Sequence, residues 1–344
     1  VRKLLLSVLV AGALLMGIAP AMGQDEPGTI ADIVVASAGG ETPEFATLLA
    51  AVSAADPAIL EALSDPEAEL TVFAPTDAAF AALAEALGEE AFAGILADQE
   101  MLSGVLLYHV VDGAVMSADV VAALEAGEGA AQVQTLFGQY LDIALTEEGG
   151  VTVDEANLNL EMVDVAASNG VIHVIDAVLV PETRTIAEIV VESAGMMDAP
   201  EFTTLLAAVS AADPAVLETL SDPEAELTVF APTDAAFAAL IEELGEEAFG
   251  GILADQAMLT NILLYHVVPG VVGSDALGTM LGEAEDMMLN VDTALEGQTL
   301  MFMATEEGDV IINEGPMVVA TNIDAINGVI HVIDGVLVPM AEGM

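Results

Sequence analysis

The chain has no cysteine, no tryptophan and almost no positive charge: three lysines and arginines stand against 57 aspartates and glutamates in 344 residues. Without cysteine there is no disulfide framework, no thiolate metal site, no thiol nucleophile and no cysteine-borne lipid anchor. Arg2 and Lys3 are two of the cations, so Arg184 is the only one beyond residue 3. Nothing can neutralise phosphates, which excludes nucleic acid as a partner and disfavours anionic lipid surfaces. Salt bridges are nearly impossible, and crowded carboxylates repel one another. Their pKa values are expected to rise on folding, so that stability falls as pH rises through the acidic range and salt restores part of it. Such a shell would also gather loosely bound cations. A chain this acidic would ordinarily be disordered. Here 55% of the residues are apolar and they are patterned, which requires a core.

Long hydrophobic runs are scarce too. The longest spans Leu4–Ile18, after Arg2 and Lys3 and before Pro20 and Ala21-Met22-Gly23. A charged start, a short apolar stretch and a small-residue cleavage site read as a secretory signal peptide over residues 1–23. The run is short for a bilayer span, and no span is expected after cleavage. The protein is expected to be secreted, whether extracellular, periplasmic or at the cell surface.

What the sequence does have is repetition. Leu48–Leu83 returns as Leu205–Leu240 with only Ile59/Val216 and Ala62/Thr219 changed. Leu106–Val111 returns as Leu263–Val268, and Asn169–Asp176 as Asn327–Asp334. The period is too long for a solenoid unit and suits one whole domain. Two domains are expected, at 29–181 and 185–339. Glu182, Thr183 and Arg184 between them are too short a linker for free tumbling.

Within each copy, helical patterning comes first and strand patterning after, which predicts an α+β fold. Ile30, Ile33 and Val34, and then Phe45, Leu48, Leu49 and Val52, fall at helical spacing. Asp56-Pro57 and Asp65-Pro66 each place an N-cap or turn residue before a proline, which suits helix starts. Leu70–Ala74 is a β-run stopped by Pro75. Thr76 or Asp77, and in the second copy Thr233 or Asp234, can cap the helix that follows. A helix near Gln99–Leu107 is expected to lead into a strand at Tyr108–Val111. Gln132–Phe137, Tyr140–Leu145, Val151–Val153 and Val171–Val180 read as strands, with Glu147–Gly150 as a hairpin turn. The middles diverge between copies. The second contributes Met280, Met287, Met288, Met301, Met303 and Met317, read as gap-filling core residues or, alternatively, as an adaptable apolar contact surface.

Three motifs stand in the same order in both copies: Thr71–Phe80 and Thr228–Phe237, then Tyr108-His109 and Tyr265-His266, then Gly170–Pro181 and Gly328–Pro339. Together they resemble the fasciclin domain family. The resemblance implies a wedge of two small β-sheets packed with several helices in each module, and use as an extracellular adhesion or matrix module without general enzymatic activity. It also implicates Tyr108, His109, Tyr265 and His266 in packing and in partner contact. The residues themselves read as structural: His173 and His331 lie in nearly continuous apolar strands and are expected to be hydrogen-bonded core histidines.

Catalytic patterns are missing. No His-Glu-x-x-His, Gly-x-Ser-x-Gly or phosphate loop occurs, and no cofactor or enzymatic activity is expected. Glu306–Asp309 and Asp154–Asn157 have carboxylates but not the alternating ligand order of a calcium loop. The leading expectation is a secreted tandem adhesion or matrix protein whose partner is an extracellular protein or a cell-surface or matrix component. The alternative is a soluble carrier of a small ligand, using an apolar cleft in the second module.

Overall fold

A computed structural model of the chain describes residues 27–39, 44–126, 129–146, 149–196, 201–284, 287–305 and 309–339. The signal-peptide expectation and part of the Glu147–Gly150 turn lie outside these residues. The first module contains α1 (Ile30–Ala38), α2 (Ala46–Ala54), α3 (Pro57–Ser64), β1 (Leu70–Pro75), α4 (Asp77–Leu87), α5 (Glu89–Ala97), α6 (Gln99–Tyr108), β2 (Val110–Asp112), α7 (Ser117–Ala126), β3 (Ala130–Gln134), β4 (Tyr140–Leu145), β5 (Val151–Val153), β6 (Ala156–Asn157), β7 (Val165–Ala167) and β8 (Gly170–Ile175). The second repeats the plan with α8 (Ile186–Gly195), α9 (Thr203–Ala211), α10 (Pro214–Ser221), β9 (Leu227–Pro232), α11 (Asp234–Leu244), α12 (Glu246–Ala254), α13 (Gln256–Tyr265), β10 (Val267–Pro269), α14 (Ser274–Glu283), β11 (Met288–Asp292), β12 (Thr299–Ala304), β13 (Val310–Ile312), β14 (Val318–Ala325) and β15 (Gly328–Ile333).

The first and last motifs meet at the centre of each module. β1 pairs in parallel with β8, placing Phe73 beside His173, and β9 pairs with β15, placing Phe230 beside His331. Strand order is β2-β1-β8-β7 in one module and β10-β9-β15-β14 in the other. These central strands are buried on both faces, as their unbroken apolar runs require. Val72, Ala74, Ile172 and Val174 pack against the helices α1–α3 and α6. Phe73 and Ile175 point the other way, toward α7 and the second small sheet, β3-β4-β5-β6. The second module divides its core in the same way, with a β11-β12-β13 sheet. All four apolar clusters are drawn from one module only, so each module has what it needs to fold on its own.

One buried asparagine closes each module. Asn169 Oδ1 accepts the Ile30 N–H at the start of α1, while its Nδ2 donates to the carbonyls of Leu63 and Asp65 at the end of α3. Asn327 does the same for Ile186, Leu220 and Asp222. Both are 1% exposed. Asn169→Ala would leave an N–H and two carbonyls buried without partners, at a cost of roughly 3 kcal/mol. The first module's thermal transition is expected to fall while the second's stays in place; a calorimetric scan of the full chain reads both.

Several boundaries differ from expectation for local reasons. Tyr108 is the last residue of α6, not the first of a strand, because His109 takes the helical C-cap conformation and pairing begins at Val110. His109 and His266 therefore sit at helix ends rather than in strands. The strand expected over Gln132–Phe137 lies at Ala130–Gln134, since Thr135 turns back onto the Gln139 carbonyl. β8 stops at Ile175, not Val180: the chain beyond is held by a histidine side chain instead of a neighbouring strand. α5 was not among the expected helices; none of its residues is fully buried, and only Phe92 and Leu96 pack against the core of the first module.

Candidate binding surfaces and the joint between the modules

The capping residues divide the work. Thr76 and Thr233 cap their own helices, accepting the Ala79 and Ala236 N–H groups. Asp77 instead reaches the preceding helix, α2, and accepts the N–H groups of Ala46 and Thr47. Asp234 serves Thr203 and Thr204 likewise. Burial acts to raise both carboxyls, but these hydrogen bonds outweigh it and hold Asp77 and Asp234 below the usual carboxylate range.

The four histidines are engaged at both ring nitrogens. His109 Nδ1–H donates to Val105 O at 2.7 Å, and Nε2 accepts the Leu179 N–H at 3.0 Å. His266 binds Ile262 O and the Leu337 N–H in the same way. The Tyr-His motif thus fastens the end of the last motif to the helix before it. His173 Nε2–H donates to Val115 O and His331 Nε2–H to Val272 O; each Nδ1 faces a backbone N–H, of Asp164 and Asn322. Burial pushes His109 and His266 down to about 4 and lowers His331, so these rings are neutral at pH 7. No lone pair is left for a metal, and among the described residues no group of three carboxylates or histidines is placed to share one.

Tyr108 and Tyr265 are buried at 5% and 2% exposure, and His109 and His266 at 3% and 4%. Their side chains offer a partner almost no surface. Tyr108 donates to Tyr140 O and to Asp154 Oδ2; in the second module Asn313 Nδ2 donates to the Tyr265 oxygen, which donates in turn to Thr299 O. Burial, with the Asp154 carboxylate close by, raises the Tyr108 phenol.

The joint went unread in the sequence. Gln139 Nε2 donates to Glu182 O and Ala325 O, and its Oε1 accepts the Glu182 N–H. Tyr140 N–H donates to Asp324 Oδ2 at 2.7 Å, and the Tyr140 hydroxyl bonds to Asp275. Gln132 accepts from Thr321 and Asn322. Within the linker Arg184 pairs with Glu182 and Glu192, while its carbonyl accepts the Ile326 N–H. Apart from Gln139, which Gln298 matches, the side chains that build this joint are ones in which the copies differ. Tyr140 stands where the second module has Thr299; Gly273, Asp275 and Asp324 stand where the first has Met116, Ala118 and Ala166. A Cβ on Gly273 would overlap the Tyr140 hydroxyl. Divergence between otherwise duplicated halves was the available signal.

Tyr108, Asp142, Asp154, Glu182, Asn322 and Asp324 line a polar cleft of about 390 Å³ at this joint. Burial, opposed by the Tyr140 hydrogen bond and reinforced by the charges of Asp142, Asp154 and Glu182, pushes Asp324 up to about 7. Asp154 is raised as well, first by burial. Glu182 moves the other way, held down by its hydrogen bonds with Arg184. At the joint the carboxyls rise chiefly through burial, with the neighbouring charges adding to it, while Asp77, Asp234 and Glu182 are lowered. The six methionines divide: Met280, Met287 and Met288 are 37%, 48% and 40% exposed, whereas Met301, Met303 and Met317 are half-buried, so none is a fully buried core residue.

Two α+β modules sharing one plan, joined in tandem, define the class of protein, and sequence comparison gives the family. The Fasciclin domain profile matches residues 43–181 and 200–339, and the chain belongs to the fasciclin domain family. Protein sll1483 of Synechocystis sp. is 44% identical over 149 residues, covering 43% of this chain and 73% of its own length. The transforming growth factor-beta-induced protein ig-h3 of Sus scrofa is 31% identical over 271 residues, 78% of this chain and 34% of ig-h3. Human periostin is 31% identical over 307 residues, 89% of this chain and 31% of periostin. The chain thus spans about a third of these two longer relatives. Among solved structures, a FAS1 domain pair from the insect cell adhesion molecule Fasciclin I aligns over 88% of this chain and 98% of its own, at 20% identity and a TM-score of 0.39.

Proposed function

We propose that the protein is a secreted or cell-surface adhesion or matrix-binding protein that presents two fasciclin modules, residues 29–181 and 185–339, as one pre-set unit after loss of a signal peptide over residues 1–23. The observation that carries this reading is the joint. A linker pinned by Gln139, Arg184 and Ile326 N–H holds two near-copies of one surface at a fixed spacing, and fixed spacing is what makes two weak contacts act together. The partner is an extracellular protein or a cell-surface or matrix component. The buried Tyr-His pairs set the shape of that surface from beneath; the exposed helices and loops of each module make the contact. The carrier reading finds less support: the enclosed apolar cavities beneath the helices of the two modules measure about 30 Å³ each, room for one water, and the second module's larger cleft, about 670 Å³, is an open groove that Asp255, Asn261, Glu296 and Gln298 line along with its apolar residues.

Binding of residues 29–181, residues 185–339 and the full chain to isolated cell envelope of the producing organism tests the proposal. Weak binding by each module to the same sites, with the full chain roughly tenfold tighter or more, is the expected result. Equal binding by all three preparations would contradict it.

A further inference from the structure

Three methionines of the second module gather on the outer face of its small sheet. β12 buries Leu300 and Phe302 completely, and β13 buries Ile312. Phe302 packs against Phe230 beneath. Side chains alternate along a strand, so Met301 and Met303 turn outward. Met288 on β11 is paired directly with Met303, and Asn290 with Met301. Directly opposed residues share a face, which brings Met288 beside Met303. Met288 is 40% exposed, and Met301 and Met303 are half-buried. Opposed Cβ atoms stand about 5 Å apart and diagonal ones roughly 7 Å; residues two apart on one strand are also separated by about 7 Å. A point above the centre of that triangle is about 4 Å from each Cβ, within reach of three flexible thioether side chains. The backbone beneath is fixed. Asn313 Oδ1 accepts the Met301 N–H at 2.9 Å, the Met301 carbonyl accepts the Asn313 N–H at 2.8 Å, and Asn313 Nδ2 donates to the Tyr265 oxygen.

The first module has Ala130, Asp142 and Ala144 at these three positions. There the same face carries Gln132 and Tyr140, which bond to the second module. Apolar cover alone does not call for sulfur: the inner face of the methionine-bearing sheet is built of leucine, phenylalanine and isoleucine.

We propose that Met288, Met301 and Met303 form a three-thioether site for a soft monovalent metal ion, Cu(I). Thioether sulfur is the donor that selects Cu(I). The chain has no cysteine, and all four histidines have both ring nitrogens engaged, so neither competes for a soft ion. The carboxylates draw cations toward the surface, but their oxygens suit hard ions such as magnesium and calcium. The site lies within one module and is independent of the adhesion reading.

Anaerobic titration of the full chain with Cu(I), in competition with the chromophoric chelator bicinchoninate, tests it. One Cu(I) per chain is expected to leave the chelator. Met301→Leu and Met303→Leu keep the apolar volume and remove the sulfur. Each should weaken uptake by at least the roughly tenfold that even an outer-shell partner is worth, with both modules still folded in a thermal scan. Met280→Leu, on the helix α14 that packs against the inner face of the sheet, should leave uptake unchanged. With Ag(I) as a redox-silent probe, the methyl resonances of Met288, Met301 and Met303 should shift together while that of Met280 stays in place. No uptake, uptake that survives replacement of all three methionines by leucine, or an equal loss from Met280→Leu would overturn the proposal.

Discussion

Replacing Gly170 by alanine is expected to unfold the first module and leave the second folded. Gly170 opens β8 at φ +146°, a backbone conformation that side chains rarely adopt. A Cβ there would overlap the Leu70 carbonyl oxygen on β1, and both atoms belong to the central parallel pair. No flexible side chain can give way, so the strands must part or shift register, and a shift would carry Phe73 and His173 away from each other. A loss of at least about 4 kcal/mol follows, at the extreme of single substitutions. For a unit of this size that lowers the melting temperature by roughly 10 °C or more. Gly328 holds the equivalent place at φ +144° against Leu227, so Gly328→Ala should do the same to the second module alone. Two calorimetric transitions, each lowered or abolished only by its own glycine substitution, are the expected record. Loss of both transitions from either substitution would mean that the modules do not fold separately.

Raising the pH from 5 to 8 is expected to loosen the joint while each module stays folded. Asp324 faces Asp142 and Asp154 from the β4-β5 side and Glu182 from the linker, and its carboxylate accepts the Tyr140 N–H. Asp275, on the neighbouring helix α14, is engaged by the Tyr140 hydroxyl. The sign follows from linkage. Asp324 titrates near 7 in the joint and near 4 when exposed. Its contribution is complete below about pH 4 and is lost as pH rises toward and through 7. Acid acts oppositely on the cores. His109 and His266 are held at about 4 against roughly 6.5 in an unfolded chain, so each module loses stability as pH falls from 6.5 to 4. Asp324→Asn keeps an acceptor for the Tyr140 N–H without a charge and should flatten the pH response of the joint while leaving the acid limb of the cores unchanged. Small-angle scattering across the range reads the joint, and thermal scans read the cores. A joint equally closed at pH 5 and 8, or an Asp324→Asn chain with the wild-type response, would sink the account.

Much of the module was legible because its signals are local. β4 and β5 fall where alternation places them, and Thr76 caps α4 as its position before the helix suggests. The three motifs in order gave the family. What stayed hidden depends on contacts distant in sequence. Asp77 looked like a cap for its own helix and serves α2, some thirty residues earlier. Asn169 stood out only as part of a repeated stretch, and nothing in its neighbourhood announces that it ties α1 to the end of α3. His109 looked like a strand residue, because Val110 and Val111 follow it. The joint was the largest omission. Its residues lie in the divergent middles, where comparing the copies shows difference without direction. Tyr140 against Thr299 and Gly273 against Met116 become meaningful only once the tyrosine is seen beside the glycine.

The chain holds its two modules in one geometry through Gln139, Tyr140 and Asp324. The absence of cysteine makes a direct measurement clean. Ala62→Cys on α3 and Thr219→Cys on α10 place one label at the same exposed position of each module, and pulsed electron–electron resonance then gives the distribution of distances between them. At pH 5 a single narrow distribution is expected, broadened when Gln139→Ala and Tyr140→Phe are added together. A wild-type distribution as broad as that of the substituted chain would contradict the claim.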